Sequence, residues 1–118
     1  MKKTINIAGI DVVFKASGST TLAYRRLFNS DIFRDIKKVQ PQAESGQMDA
    51  EALEIFLRIA YTMAKQGDPS IPDEIEEWLD QFEMFDIYYV LPQILELWGN
   101  NMMQIEEPKK KNDNKRVE

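Results

Sequence analysis

Apolar and polar residues alternate one by one at the start of the chain. Ile5 and Ile7 fall on one side, with Thr4 and Asn6 on the other. Beyond Ala8-Gly9, the apolar Ile10, Val12 and Phe14 alternate with Asp11 and Lys15. A period of two built from β-branched residues predicts strands, and Gly9 supplies the turn of a short hairpin with one buried face. Two strands alone are marginal in water, so the hairpin must lie on helices or on another chain.

From Ser17 onward the apolar period lengthens. Ser19 or Thr20 can cap a first helix that runs to about Phe28. Its apolar side is Leu22, Ala23 and Leu27, extended by Tyr24 and Phe28. Asn29-Ser30 interrupts, and Ser30 or Asp31 caps a second short helix. Its stripe is Ile32, Ile36 and Val39, and Pro41 is expected to end it. The polar stretch Gln40 to Gln47, with Pro41 and Gly46, reads as a mobile internal loop. Asp49 then caps the longest helix, to about Gln66. Leu53, Phe56, Leu57, Ala60 and Ala64 form its stripe, and Ile55 and Ile59 widen it, so this helix is expected at the centre. Gly67-Asp68-Pro69 terminates it.

Ser70-Ile71-Pro72-Asp73 has the spacing of a capping box and is expected to open the next helix, which buries Ile75, Trp78, Leu79 and Phe82. A last helix is expected from about Met84 to Asn100, with Ile87, Leu91, Ile94, Leu95 and Trp98 inward. Pro92 must kink it or restart it near Leu91. The fold class that follows is mainly α with a small N-terminal β-hairpin (α+β): a bundle of about four to five helices forming one domain over residues 1–105. Residues 106–118 hold a single apolar residue, Val117, and the run Lys109-Lys110-Lys111. Such a segment cannot bury enough surface to offset its ordering entropy, so it is expected as a disordered charged tail.

Composition narrows the chemistry. The chain has no cysteine and no histidine, and a formal net charge of -5. Disulfides and thiolate metal sites are excluded, as is every histidine-dependent triad. Excess negative charge disfavours general nucleic-acid binding. Met1-Lys2-Lys3 begins like a signal peptide, but Asn6, Gly9 and Asp11 break any apolar core, and no run is long enough to span a bilayer. The expectation is a cytoplasmic protein with no membrane association, no cofactor, no metal and no enzymatic activity. Asp73, Glu74, Glu76 and Glu77 crowd a helix start, where the dipole favours negative charge. They have neither a glycine-rich calcium loop nor a second ligand set.

The last third is the most informative stretch. Trp78, Phe82, Met84, Phe85, Tyr88, Tyr89, Trp98, Met102 and Met103 cluster there, and one helix stripe cannot bury them all. Adaptable methionines and aromatics suit a surface that accepts an apolar partner. Tyr24 and Arg25 on the first helix are of the types enriched in binding hot spots. The candidate partner-binding residues are therefore Tyr24, Arg25, Tyr88, Tyr89, Trp98, Met102 and Met103. The bland alternatives are core packing for the aromatics and a surface ion pair, with Asp31 or Asp35, for an arginine of the Arg25-Arg26 pair.

The order of elements carries a resemblance. A short hairpin precedes Tyr24-Arg25-Arg26-Leu27-Phe28-Asn29-Ser30-Asp31-Ile32. The acidic Glu74-Ile75-Glu76-Glu77-Trp78-Leu79 follows, then Ile94-Leu95-Glu96-Leu97-Trp98 and a charged tail. Over most of residues 1–105 this resembles the tail assembly chaperones of long-tailed phages and prophages of Gram-positive bacteria. Asn29 stands where that family commonly has glycine. The resemblance implies a chaperone that coats the long apolar tape measure protein, helps recruit tail tube protein, acts in the host cytoplasm and is absent from the mature virion. It also implies a longer frameshifted product, with Lys109-Lys110-Lys111-Asn112 as the place for an A-rich slippery stretch. A homo-oligomer is open. The alternatives are a small DNA-binding regulator, resting on the basic residues between Tyr24 and Lys38, and a structural component of the phage particle.

Overall fold

The computed structural model describes residues 2–98. Strands β1 (Lys2–Ile7) and β2 (Ile10–Lys15) form an antiparallel hairpin, followed by helices α1 (Thr20–Phe28), α2 (Ile32–Ser45), α3 (Ala50–Gly67) and α4 (Ile75–Leu79). A 3-10 turn covers Asp86–Val90. Residues 91–98 are helical again and are termed α5. The molecule is thus mainly helical with a two-stranded N-terminal hairpin, as the patterning implies.

The hairpin pairs Ile5 with Val12 and Ile7 with Ile10. Its two-residue turn, Ala8-Gly9, has positive φ at both positions, 51° and 92°. That backbone matches the twist of paired strands, and Gly9 adopts it without a steric penalty. Asn6 secures the turn: its side-chain oxygen accepts from the Gly9 amide at 2.9 Å and its amide donates to Asp11 at 2.9 Å. With the pairing so fixed, Ile5, Ile7, Val12 and Phe14 share one face, and all four are buried.

That face lies on α3, which also contacts α1, α2 and α4. The central helix is capped by Asp49, whose carboxylate accepts from the Ala52 amide at 2.8 Å. Nine of its residues are buried, including Ile55, Phe56, Ile59, Ala60 and Ala64. The packing against β2 is close at Gly67, where a Cβ would stand 2.1 Å from the carbonyl oxygen of Val13. Gly67 is therefore required by proximity; the helix itself is capped by Asp68, with no left-handed residue at its end.

Three expected boundaries are corrected. Pro41 does not stop α2, and Gln40 to Gln47 is not a loop: the helix runs on to Ser45. Pro41 and Lys37 both lie on the exposed side. Water there can serve the Lys37 carbonyl that proline leaves without an intrahelical donor. The stop is Gly46, at φ 80°, whose amide closes on Ala43. The Ser70-to-Asp73 box does not form either. Asp68 accepts from Ser70, Asp73 pairs with Lys65 at 2.7 Å, and α4 begins only at Ile75. Nor is there one helix from Met84. A 3-10 turn precedes Leu91, and Pro92 sits in the first turn of α5, where its missing N–H costs nothing. The restart near Leu91 is as expected. The expected end at Gly99 to Asn101, together with the tail, lies outside the described residues.

Asp31, rather than Ser30, caps α2, accepting from the Phe33 amide at 2.9 Å. Ser19 precedes α1 but makes no side-chain cap. The Thr20 hydroxyl instead accepts from the Ser17 amide at 2.8 Å and donates to Gln66 at 2.6 Å, tying α1 to the end of α3.

Candidate partner-binding surface

A cleft of about 330 Å³ opens between the α2–α3 connection and the start of α5, lined by Ala43, Gly46, Met48, Leu53, Tyr88, Leu91 and Pro92. No charged side chain lines it. One wall is held by the connection: the Gln42 side chain accepts from the Asp49 amide at 2.7 Å, so the turn after Gly46 is short and fixed. The other wall comes from the 3-10 turn. With about three residues per turn, Ile87 and Val90 fall on one side, and both are buried. Tyr88 leans on Phe56, ring centroids 6.0 Å apart. Tyr89 points elsewhere and is 78 % exposed. The preceding turn, whose Glu83 amide donates to Asp86 at 3.0 Å, leaves Met84 77 % and Phe85 63 % exposed. One wall of an apolar cleft and three uncovered apolar side chains thus come from one short stretch, residues 84–92.

The candidate residues separate. Tyr88 and Tyr89 are at this surface. Trp98 is buried in the core, its ring 5.8 Å from Phe33. Its Nε1 has no hydrogen-bond partner among the described residues. Met102 and Met103 lie outside the described residues. Tyr24 is fully buried, and its hydroxyl donates to Asp35 at 2.8 Å. It joins α1 to α2 from within, so it is a core residue here and contributes no contact area outside. Burial, with the Asp35 carboxylate beside it, pushes the Tyr24 phenol well above its ordinary pKa. Burial alone would raise Asp35 as well, but hydrogen bonds from Ser30 and Tyr24, with Arg34 alongside, outweigh it and hold that carboxyl below the usual range.

Arg25 is exposed on α1, as is Arg26. The ion pair expected of Arg25 or Arg26 with Asp31 or Asp35 is not formed among the described residues; the arginine beside Asp35 is Arg34, Nε to carboxylate at 3.6 Å. Arg26 lines a second cleft, of about 390 Å³, with Lys15, Ala23, Leu27, Thr62, Lys65, Gln66 and Pro69.

Met48, Leu53 and Leu91 are cleft residues that periodicity assigns to the core or passes over. The signal available for them was the pair of helix breakers, Gly46 and Pro92, which set the two walls. Leu22 and Leu27, expected on the apolar side of the first helix, are corrected: both are exposed, and α1 turns Ala23 and Tyr24 to the core instead; Phe33, which the stripe of α2 passes over, is exposed as well. Among the described residues there is no group of three or more acidic side chains placed to hold a metal ion, and no helix long and apolar enough to cross a membrane. Comparison with protein-family models, curated proteins and solved structures finds no match.

Proposed function

We propose that this protein is a tail assembly chaperone that covers the apolar face of a long helical client, the tape measure protein of a long-tailed phage, until tail tube protein displaces it. The observation that carries the reading is an apolar cleft lined by Tyr88 and Leu91, together with Met84, Phe85 and Tyr89 in the same stretch of chain, three large side chains left in water by a fold that buries most others. The resemblance of the Tyr24-to-Ile32 and Ile94-to-Trp98 segments to that family supplies the client's identity.

Energetics favour a weak, repeated contact. Covering those three side chains removes about 300 Å² of apolar surface, roughly 7 kcal/mol at about 25 cal/mol per Å². Association costs of about 4–15 kcal/mol offset most of that. A single copy then binds weakly, whereas many copies along one chain gain avidity and still release one at a time. Methionine at the surface tolerates a client whose side chains vary from turn to turn. On this reading the protein works in the host cytoplasm, performs no chemical step, and is missing from the finished particle.

Co-expression with the tape measure protein encoded near its gene tests this. The client should stay soluble and co-purify with the wild-type chaperone, and precipitate with a Phe85→Asp/Tyr89→Asp variant. A client that is equally soluble with and without the chaperone refutes the proposal.

A further inference from the structure

A two-stranded sheet has two edges, and here they differ. The two-residue turn makes Ile7 and Ile10 a hydrogen-bonded pair, and the pairs alternate outward from it. Ile5 with Val12 and Lys3 with Phe14 exchange hydrogen bonds across the hairpin. Asn6 with Asp11, Thr4 with Val13 and Lys2 with Lys15 are the pairs between, and their N–H and C=O groups point away from the partner strand. On β2 that edge is closed: α3 ends against it, with Gly67 set so near the Val13 carbonyl that a Cβ there would overlap it. On β1 the outward groups are those of Lys2, Thr4 and Asn6. All three residues are exposed, and none of these backbone groups has a hydrogen-bond partner among the described residues.

Natural sheets blunt an open edge with proline, with a bulge, with brevity or with charge. β1 runs six residues, pairs without interruption and holds no proline. Its guard is charge. Lys2 and Lys3 lie at one end of the edge, and Lys15 stands directly opposite Lys2, an unfavourable placing of like charges. Among the described residues Lys2 and Lys15 make no ion pair. Lys3 meets Glu96 at 4.0 Å, with both side chains well exposed. Lysines repel another basic strand and attract an acidic one, so this guard is selective.

We infer that the outer edge of β1 accepts an extended, acidic segment of a partner protein as a third strand of the sheet. From Lys2 to Asn6 the edge is about 13 Å long at about 3.3 Å per residue, room for about five residues of the incoming strand. The N–H and C=O groups of Lys2, Thr4 and Asn6 supply hydrogen bonds that any extended backbone can answer. Acidic side chains near Lys2 and Lys3 fix the strand's position along the edge. This surface uses none of the cleft residues and none of Met84, Phe85 and Tyr89. A partner that adds a strand also differs in kind from a helical client, so the inference stands apart from the client reading.

The probe is a synthetic ten-residue peptide of alternating glutamate and valine, titrated into isotope-labelled protein and followed by NMR. A peptide of alternating lysine and valine is the control. The glutamate peptide should bind, and the Thr4 and Asn6 amides should shift and exchange more slowly with solvent. Thr4→Pro removes one outward N–H and leaves the ladder intact, because Thr4 and Val13 exchange no hydrogen bonds. It should weaken binding about tenfold while the circular dichroism spectrum stays the same. Lys2→Glu/Lys3→Glu alters exposed side chains only and should reverse the preference to the lysine peptide, which keeps the test decisive even where Thr4→Pro fails to fold. No binding of the glutamate peptide at millimolar concentration overturns the inference. So does equal binding of both peptides by the wild type, or slowed exchange confined to α1 or to residues 84–92. Slowed Thr4 and Asn6 exchange without peptide, accompanied by a doubled mass, gives the edge to a second copy and overturns it as well. None of these results reads client solubilisation.

Discussion

Asp35 joins the first two helices, and replacing it gives the sharpest stability prediction. Its carboxylate, buried in the first turn of α2, accepts from the Tyr24 hydroxyl at 2.8 Å and the Ser30 hydroxyl at 2.7 Å. Arg34 lies 3.6 Å away on the exposed side. Hydrogen bonds to an ionised acceptor contribute about 1.5–3 kcal/mol each, and a buried hydroxyl left without a partner costs about 1–3 kcal/mol. Removing the desolvation cost of the carboxylate offsets part of this. Asp35→Ala should therefore destabilise by about 3 kcal/mol, and Tyr24→Phe, which deletes one donor, by about 1.5 kcal/mol. Because both changes remove the same contact, the double variant should fall short of the sum by about 1.5 kcal/mol. Urea unfolding followed by circular dichroism measures this as a lower midpoint at an unchanged slope. The folded pKa of Asp35 lies below its unfolded value of about 3.9, so its contribution is complete above about pH 5 and is lost as pH falls through the folded pKa. The gap between wild type and Asp35→Ala should narrow below about pH 4. An Asp35→Ala protein within about 0.5 kcal/mol of wild type at neutral pH, or strictly additive single changes, would refute the assignment.

Other positions give independent checks. Gly67→Ala forces a methyl group onto the Val13 backbone and should cost about 3 kcal/mol or more, visible as a thermal midpoint lowered by roughly 10 °C. Asp49→Ala removes the cap of the central helix and should cost about 1 kcal/mol in the same urea assay. Ser substitutions at Met84, Phe85 and Tyr89 should leave stability within about 0.5 kcal/mol, since those side chains are largely in water. The same triple variant should bind markedly less of a hydrophobic dye than wild type, and unchanged dye fluorescence would show that the apolar surface lies elsewhere.

Much of the architecture was legible because burial imposes a period. Ile5, Ile7, Val12 and Phe14 declared a hairpin face, Ile32, Ile36 and Val39 declared a helix stripe, and all seven are buried. The breakers were harder to read. Pro41 and Pro92 carry the same sequence signal, yet one is tolerated late in a helix on its wet side while the other begins a helix. The difference lies in where each helix begins and which side of it faces water, which the chain alone does not display. The surface was half legible. An excess of aromatics and methionines near the end pointed to Tyr88 and Tyr89, but Tyr24 and Trp98 have the same residue character and are buried. Residue type marks a binding surface only after burial is known. Ala43 and Gly46 come to the cleft from a stretch that looked like a mobile loop, and Met48 from just beyond it.

Hydrogen–deuterium exchange on the protein, free and after co-expression with the proposed client, tests the central claim most directly. Amides around Met48–Leu53 and Asp86–Leu91 should gain protection in the complex, while those on the solvent side of the hairpin turn at Ala8-Gly9 should not change. Protection confined to the hairpin or to α1, with the Met48–Leu53 and Asp86–Leu91 amides exchanging as in the free protein, would contradict the account.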